Sequence, residues 1–253
     1  MQLKGIAAVV TGGASGLGAS TARMLADHGA KVALFDVNEQ AASELAQQIG
    51  GLFCRVSVSD DVSVADGLAR AEQQHGVARV LVNCAGVASP GKTIGKGNVP
   101  HPLDSYRRVI EVNLIGTFNV ISKFAARLAA WHTEEEERGV IVNTASVAAY
   151  DGQIGQAAYA SSKAGVVGLT LPVARDLAEH RIRVVTIAPG IFLTPMLMGL
   201  SEKVRGSLAK QVPHPSRLGR PEEYARLVES IIANPMLNGE VIRLDGAIRM
   251  APR

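Results

Sequence analysis

The sequence predicts a single α/β domain, a doubly wound, seven-stranded parallel sheet with helices on both faces. Three observations lead there. Short β-branched runs alternate with longer helical periods along all 253 residues, the pattern of right-handed strand–helix–strand crossovers. The composition is 47% hydrophobic but only 4% aromatic, so the interior must be built of Ala, Val, Leu and Ile, as in parallel strands covered on both faces. No linker or internal repeat divides the chain, and this length suits one large α/β unit, so residues 1–253 are assigned to one domain.

In order, strands are expected at 7–10, 31–35, 52–56, 79–82, 140–143, 183–187 and 241–244, each an apolar run rich in Val, Ile, Leu or Phe. Helices are expected to begin near Ser15, Asn38, Asp60, Leu103, Gln156 and Pro221, at capping residues or at the head of a helical period. Two stretches break the rhythm: 88–102, rich in Gly, Pro and Lys, and 191–220, with Pro195, Pro213 and Pro215. Both follow strand ends, where open α/β sheets bind ligands, which makes 191–220 a candidate substrate lid.

Charge narrows the classes of partner. The 26 Lys and Arg against 23 Asp and Glu leave a net charge of +3, with both signs interspersed. That is too weak a bias for nucleic acid. No apolar run approaches the ~20 residues of a membrane span. Cys54 and Cys84 lie in apolar strand-end contexts without CxxC or metal-ligand spacing, so no metal is expected. The fold begins almost at Met1, leaving no room for a leader, and a reducing, cytoplasmic location is the expectation.

The first strand runs into Thr11-Gly-Gly-Ala-Ser-Gly-Leu-Gly18. Gly12, Ser15, Gly16, Leu17 and Gly18 would form a tight turn whose helix N-terminus offers free N–H groups to a pyrophosphate, in the manner of a Rossmann dinucleotide site. Asp36 ends the second strand, where a carboxylate accepts both ribose hydroxyls of NAD and repels the 2′-phosphate of NADP. Gly13, Ala14 and Val37 supply no basic side chain for that phosphate, so NAD is the expected cofactor. Asn83, Cys84, Ala85 and Gly86 close the fourth strand with small residues suited to a nucleoside. Pro189 and Gly190, with Phe192 and Thr194 beyond, close the sixth, where Thr194 is placed to hold a carboxamide.

Tyr159 and Lys163 are four apart, on one face of a helix, and Ser146 follows the fifth strand. A phenol, an ammonium and a hydroxyl can meet one substrate oxygen, and an ammonium beside a phenol lowers its pKa from about 10. Gln153 and Gln156 lie between them and either face a substrate or cap a helix.

TGGASGLG, NCAG, Asn113 in EVNLIGTF, Ser146, YxxxK and the Pro189-Gly190 turn occur in the order and spacing of the short-chain dehydrogenase/reductase family, which the chain resembles over essentially its whole length. Lys92-Thr93 and the stretches 112–120, 143–149, 170–177 and 215–250 look like its 3-hydroxyacyl-CoA dehydrogenase type 2 branch, also described as 17β-hydroxysteroid dehydrogenase type 10. The resemblance implies a homotetramer that uses NAD to oxidise short or branched 3-hydroxyacyl-CoA thioesters, with steroid or other secondary alcohols as the alternative substrates. A non-catalytic NAD-binding sensor or assembly protein is the alternative of another class. The resemblance also implies that Tyr159 is the acid–base and that Lys163 tunes it and holds the nicotinamide ribose. Ser146 would bind the substrate oxygen, and Asn113 would anchor a water leading protons to solvent.

One position departs from the family pattern. Ser57-Val58 stands where an Asp-Val pair usually holds adenine; Val58 can pack on the ring, and Asp60 is a candidate to replace the missing carboxylate. Lys92, Lys96, Arg217 and Arg220 either meet CoA phosphates or form solvated surface.

Overall fold

The structure is a computed structural model that describes residues 1–199 and 201–252. Seven parallel strands, β1 (Ala7–Thr11), β2 (Lys31–Asp36), β3 (Leu52–Arg55), β4 (Ala78–Asn83), β5 (Gly139–Thr144), β6 (Ile182–Pro189) and β7 (Val241–Leu244), form one sheet in the order β3-β2-β1-β4-β5-β6-β7. The strand order reverses at β1, and the crevice outside the carboxyl ends of β1 and β4 is where such sheets bind ligands.

Side chains alternate between faces and feed two cores. Ala8, Val10, Val32, Leu34, Val80, Val82, Val140 and Val142 pack with Ala22 and Leu25 of α1 (Gly16–Asp27), Leu45 and Ala46 of α2 (Glu39–Ile49), and Tyr224, Val228 and Ile231. On the other face Val9, Ala33, Phe35, Leu81 and Ile141 meet Val64 and Leu68 of α3 (Asp61–His75), Val120, Phe124 and Leu128, and Val173.

The helix expected to begin near Leu103 is divided. α4 (Leu103–Ile110) passes through a widened π turn (Glu111–Ile115) into α5 (Gly116–Ala130). By length and composition Leu103–Ala130 would suffice to cross a membrane, contrary to the expectation from the sequence. Half of its most apolar window is buried inside the protein, as in a core helix. α6 (Ala157–Asp176) carries Tyr159 and Lys163. The 191–220 stretch contains α7 (Pro195–Met198) and α8 (Glu202–Lys210) and leads to α9 (Pro221–Ala233), which supplies Tyr224 and Val228.

Candidate active site

The turn from β1 to α1 is shaped around absent side chains. Gly12 has φ 62°, and a Cβ there would come within 2.7–2.8 Å of the Ala85 and Cys84 backbone. A Cβ on Gly18 would overlap the Gly12 carbonyl, so both must be glycine for β1, β4 and α1 to close together. The N-cap Ser15 makes no side-chain capping bond, and no acidic residue occupies the first turn. The Gly16, Leu17 and Gly18 amides therefore lack helical acceptors and can take an anion. This cradle fits the pyrophosphate of a dinucleotide.

Asp36 lies beside it. One carboxylate oxygen accepts the Ala14 N–H and the other the Asn38 N–H, both at 2.9 Å. The cap of α2 is Asn38, whose side chain accepts the Ala41 N–H at 3.2 Å. Asp36 is thus not consumed as a helix cap, and each oxygen keeps a lone pair for a ribose hydroxyl.

At the adenine end, Asp60 caps α3 by accepting the Ser63 N–H with Oδ1 at 2.8 Å, and its exposed carboxylate keeps acceptor capacity. Ser57 Oγ faces Ser59 Oγ at 3.3 Å, and Val58 is buried against Gly116.

Ser146 and Lys163 are each fixed by a separate bond, and both lie beside the Tyr159 phenol. Ser146 Oγ accepts the Ala148 N–H at 3.1 Å, which leaves the hydroxyl proton to donate elsewhere. The Lys163 ammonium donates to the Thr144 carbonyl at 2.8 Å and stands 5.9 Å from the Tyr159 ring centroid. Desolvation lowers Lys163 from 10.5 to about 8, with Cys84 opposing. Burial pushes the Tyr159 phenol above its usual value, and the Ser146 hydroxyl only partly reverses this. The lowering expected from the Tyr–Lys spacing is therefore not a property of the chain alone. Spacing brought the groups together, but burial governs both.

Asn113 sits in the π turn and is fully buried. Its Nδ2 donates to the Val87 carbonyl at 2.9 Å and to Ser162 Oγ at 3.0 Å, and its Oδ1 accepts the Val87 N–H at 2.8 Å. The widened turn lets one amide join the loop following β4 to α6. A Cβ on Gly86 would lie 3.3 Å from Asn113 Oδ1 and 3.5 Å from Lys163 Nζ, so these three converge.

On the sixth-strand side, Thr194 and Pro195 lie over Gly16, 3.3–3.5 Å from where its Cβ would be. Gly190 packs on the Asp245 backbone behind Pro189. The Phe192 ring turns into the core against Gly219, so Phe192 offers the crevice only backbone. Gln153 donates to the Ala251 carbonyl at 2.9 Å and Gln156 to Gln153 Oε1 at 3.2 Å. Arg217 forms a two-point pair with Glu223 at 2.6 and 2.9 Å, which occupies its guanidinium; Lys92, Lys96 and Arg220 are exposed.

Sequence reasoning missed Thr144, Ser162 and Tyr224. Tyr224 is fully buried, and its hydroxyl meets Thr144 Oγ1 at 2.7 Å, beside the carbonyl that holds Lys163. The available signal was a polar Tyr on the same apolar helical stripe as Val228 and Ile231. Asn83, at the carboxyl end of β4, links neighbouring strands: Nδ2 donates to Asn143 Oδ1 at 2.9 Å and Oδ1 accepts from Thr11 Oγ1 at 3.3 Å. Cys54 and Cys84 are free thiols, both raised by burial, and no group of metal-ligating side chains occurs among the described residues.

The family model for short chain dehydrogenases matches residues 6–205. The 3-hydroxyacyl-CoA dehydrogenase type-2 of Rattus norvegicus is 55% identical over 99% of this chain and 98% of its own length, and that of Homo sapiens is 53% identical over the same shares. The crystal structure of 3-hydroxyacyl-CoA dehydrogenase type-2 from Mycobacterium avium superposes with a TM-score of 0.94 at 40% identity, covering 98% of each chain. The chain belongs to the short-chain dehydrogenase family and is an NAD(P)-dependent oxidoreductase acting on a small molecule.

Proposed function

We propose that this short-chain dehydrogenase oxidises a short or branched 3-hydroxyacyl-CoA to the 3-oxoacyl-CoA with NAD. The observation that carries the chemistry is the convergence of Ser146, Tyr159 and Lys163 beside the Gly12–Gly18 cradle, with Asp36 at its edge. The substrate class is supported by the names of the relatives.

The bound nicotinamide supplies the hydride acceptor. The protein handles the proton. Ser146 donates its free hydroxyl proton to the carbinol oxygen and orients it. Tyr159 takes the hydroxyl proton of the substrate as general base and returns it in reduction. Lys163, held at the Thr144 carbonyl, places positive charge near the forming phenolate and reaches the nicotinamide ribose. Asn113 keeps α6 against the loop following β4, and the proton leaves past Lys163 on the Asn113 side.

Asp36 selects NAD, because each of its oxygens retains a place for a ribose hydroxyl and its charge opposes a 2′-phosphate. Val58 packs at the adenine end, and Asp60, whose Oδ1 caps α3, keeps its other oxygen for the adenine amino group. The exposed Ile115 and Phe118 of the π turn and α5, and Leu171 of α6, support a homotetramer built on these helices.

The test is NAD reduction with 3-hydroxybutyryl-CoA and its 2-methyl analogue, against NADP and against a steroid or simple secondary alcohol. Turnover with the thioesters and NAD is expected. Turnover confined to plain alcohols would overturn the substrate assignment, and preference for NADP would overturn the role of Asp36.

A further inference from the structure

The loop that joins Ser146 to Tyr159 is tied down by the far end of the chain. Asp151 receives both Nη groups of Arg243, at 2.6 and 3.4 Å, and its Oδ2 also accepts the Met250 N–H at 3.4 Å. Arg243 in turn donates to Asp245 at 2.8 Å and to the Ile248 carbonyl at 3.0 Å, and its guanidinium lies 5.2 Å from the Tyr150 ring centroid. The Asp151 carboxyl is held below its ordinary value by that guanidinium. Further along, the Ile154 N–H donates to the Pro252 carbonyl at 3.0 Å and Gln153 Nε2 to the Ala251 carbonyl at 2.9 Å. The chain's last residues therefore lie as a strap against 150–156, and Arg243 is its latch.

The bonds of the reacting groups are elsewhere. Lys163 is set by Thr144, Ser162 by Asn113 and the Tyr159 carbonyl, and Ser146 by Ala148; none involves residues 243–252. What the strap does position is the Gln153–Gln156 pair. Gln156 Nε2 donates to Gln153, while Gln156 Oε1 is buried with no partner among the described residues. A buried acceptor left open is costly unless something donates to it.

We propose that Arg243 and the strap 248–252 form a specificity-determining wall of the acyl cleft, positioning Gln153 so that Gln156 Oε1 accepts a donor from the bound thioester. This rests on the proposed 3-hydroxyacyl-CoA function. Because the wall sets the cleft and not the reacting groups, its loss weakens substrate binding and discrimination while the chemical step persists.

The experiment compares the parent, Arg243→Met, Asp151→Asn, Arg243→Lys and a chain ending at Arg249, each with NAD and either 3-hydroxybutyryl-CoA or a longer straight-chain 3-hydroxyacyl-CoA. For Arg243→Met, Asp151→Asn and the shortened chain, KM for the short thioester rises by about tenfold, kcat stays within about twofold and the preference between the two chain lengths changes. NAD affinity, measured by fluorescence quenching, is unchanged. Arg243→Lys keeps the charge without the two-point fork and falls between. The shortened chain retains the Arg243–Asp151 pair, so it reports on the strap even if either latch variant fails to fold. Parent-like KM and chain-length preference in the shortened chain would overturn this inference and leave the proposed function standing, as would kcat and NAD affinity both falling as KM rises. A parent inactive on both thioesters would overturn the proposed function and this inference with it.

Discussion

The two ends of the sheet treat buried cations differently. Among the described residues, Arg79, Arg183 and Lys163 are the buried cations. Arg79 and Arg183 lie at the amino ends of β4 and β6, lining a cavity of about 790 Å³ together with the N-terminus, Glu135 and Glu137. Both have carboxylates: Arg79 pairs with Glu135 and Arg183 with Glu137, and each guanidinium also donates to main-chain carbonyls. Lys163, at the carboxyl end, has one carbonyl and no carboxylate. The charges of the amino-end cavity are spent on one another, and the ammonium at the carboxyl end is not. An ammonium buried without its counter-charge destabilises the fold and is held ready for another group, which separates a site that binds from a cavity that braces.

Four substitutions probe that contrast. Tyr159→Phe removes the proton acceptor and should lower kcat by about 10²–10⁴-fold with NAD affinity intact. Binding and turnover measured together would expose a non-catalytic role if biological output survived. Lys163→Met should lower kcat by about 10²-fold or more, because the phenolate loses its neighbouring charge. At the other end, Arg183→Met leaves the half-buried Glu137 with only the more distant Met1 ammonium and strips the Ile231, Ile232 and Leu237 carbonyls of a donor, which should cost about 2–3 kcal/mol of unfolding free energy, with kcat unchanged. Urea unfolding and steady-state kinetics on the same preparation check both halves. Tyr224→Phe deletes the hydrogen bond to Thr144 and should cost about 1 kcal/mol, with a few-fold loss in kcat as the carbonyl that seats Lys163 loosens.

Much of this was legible in the sequence, and what was not has a physical reason. Strands β1 to β7 and the starts of α1, α2, α3, α4, α6 and α9 follow from periodicity and turn chemistry, which are local. The Gly12–Gly18 cradle and Asp36 were legible because a strand–turn–helix junction fixes where their atoms go. The π turn at Asn113 has no periodic signature; its one trace is a polar residue in an apolar run. The Arg243–Asp151 latch joins residues 92 positions apart, and no local pattern encodes it. The direction in which Tyr159 shifts depended on burial, which four-residue spacing does not report. Asp60 was legible by position, and its Oδ1 also serves the N-terminus of α3, a use that spacing alone does not report.

Lys163 is buried at a cost and kept for its charge, and the pH dependence of the unfolding free energy reads that cost. Between pH about 8 and 10.5 the unfolded chain holds a proton on Lys163 that the folded chain has released. The parent's stability should therefore rise with pH across that window relative to Lys163→Met. A shift from 10.5 to about 8 corresponds to roughly 3 kcal/mol. Urea titrations of both cofactor-free proteins from pH 7 to 10.5 should show Lys163→Met closest to the parent, or ahead of it, at pH 7, and the parent gaining on it by about that amount. A difference between the two that stays constant with pH would contradict the account, because it would mean that the buried ammonium is as well compensated as Arg183.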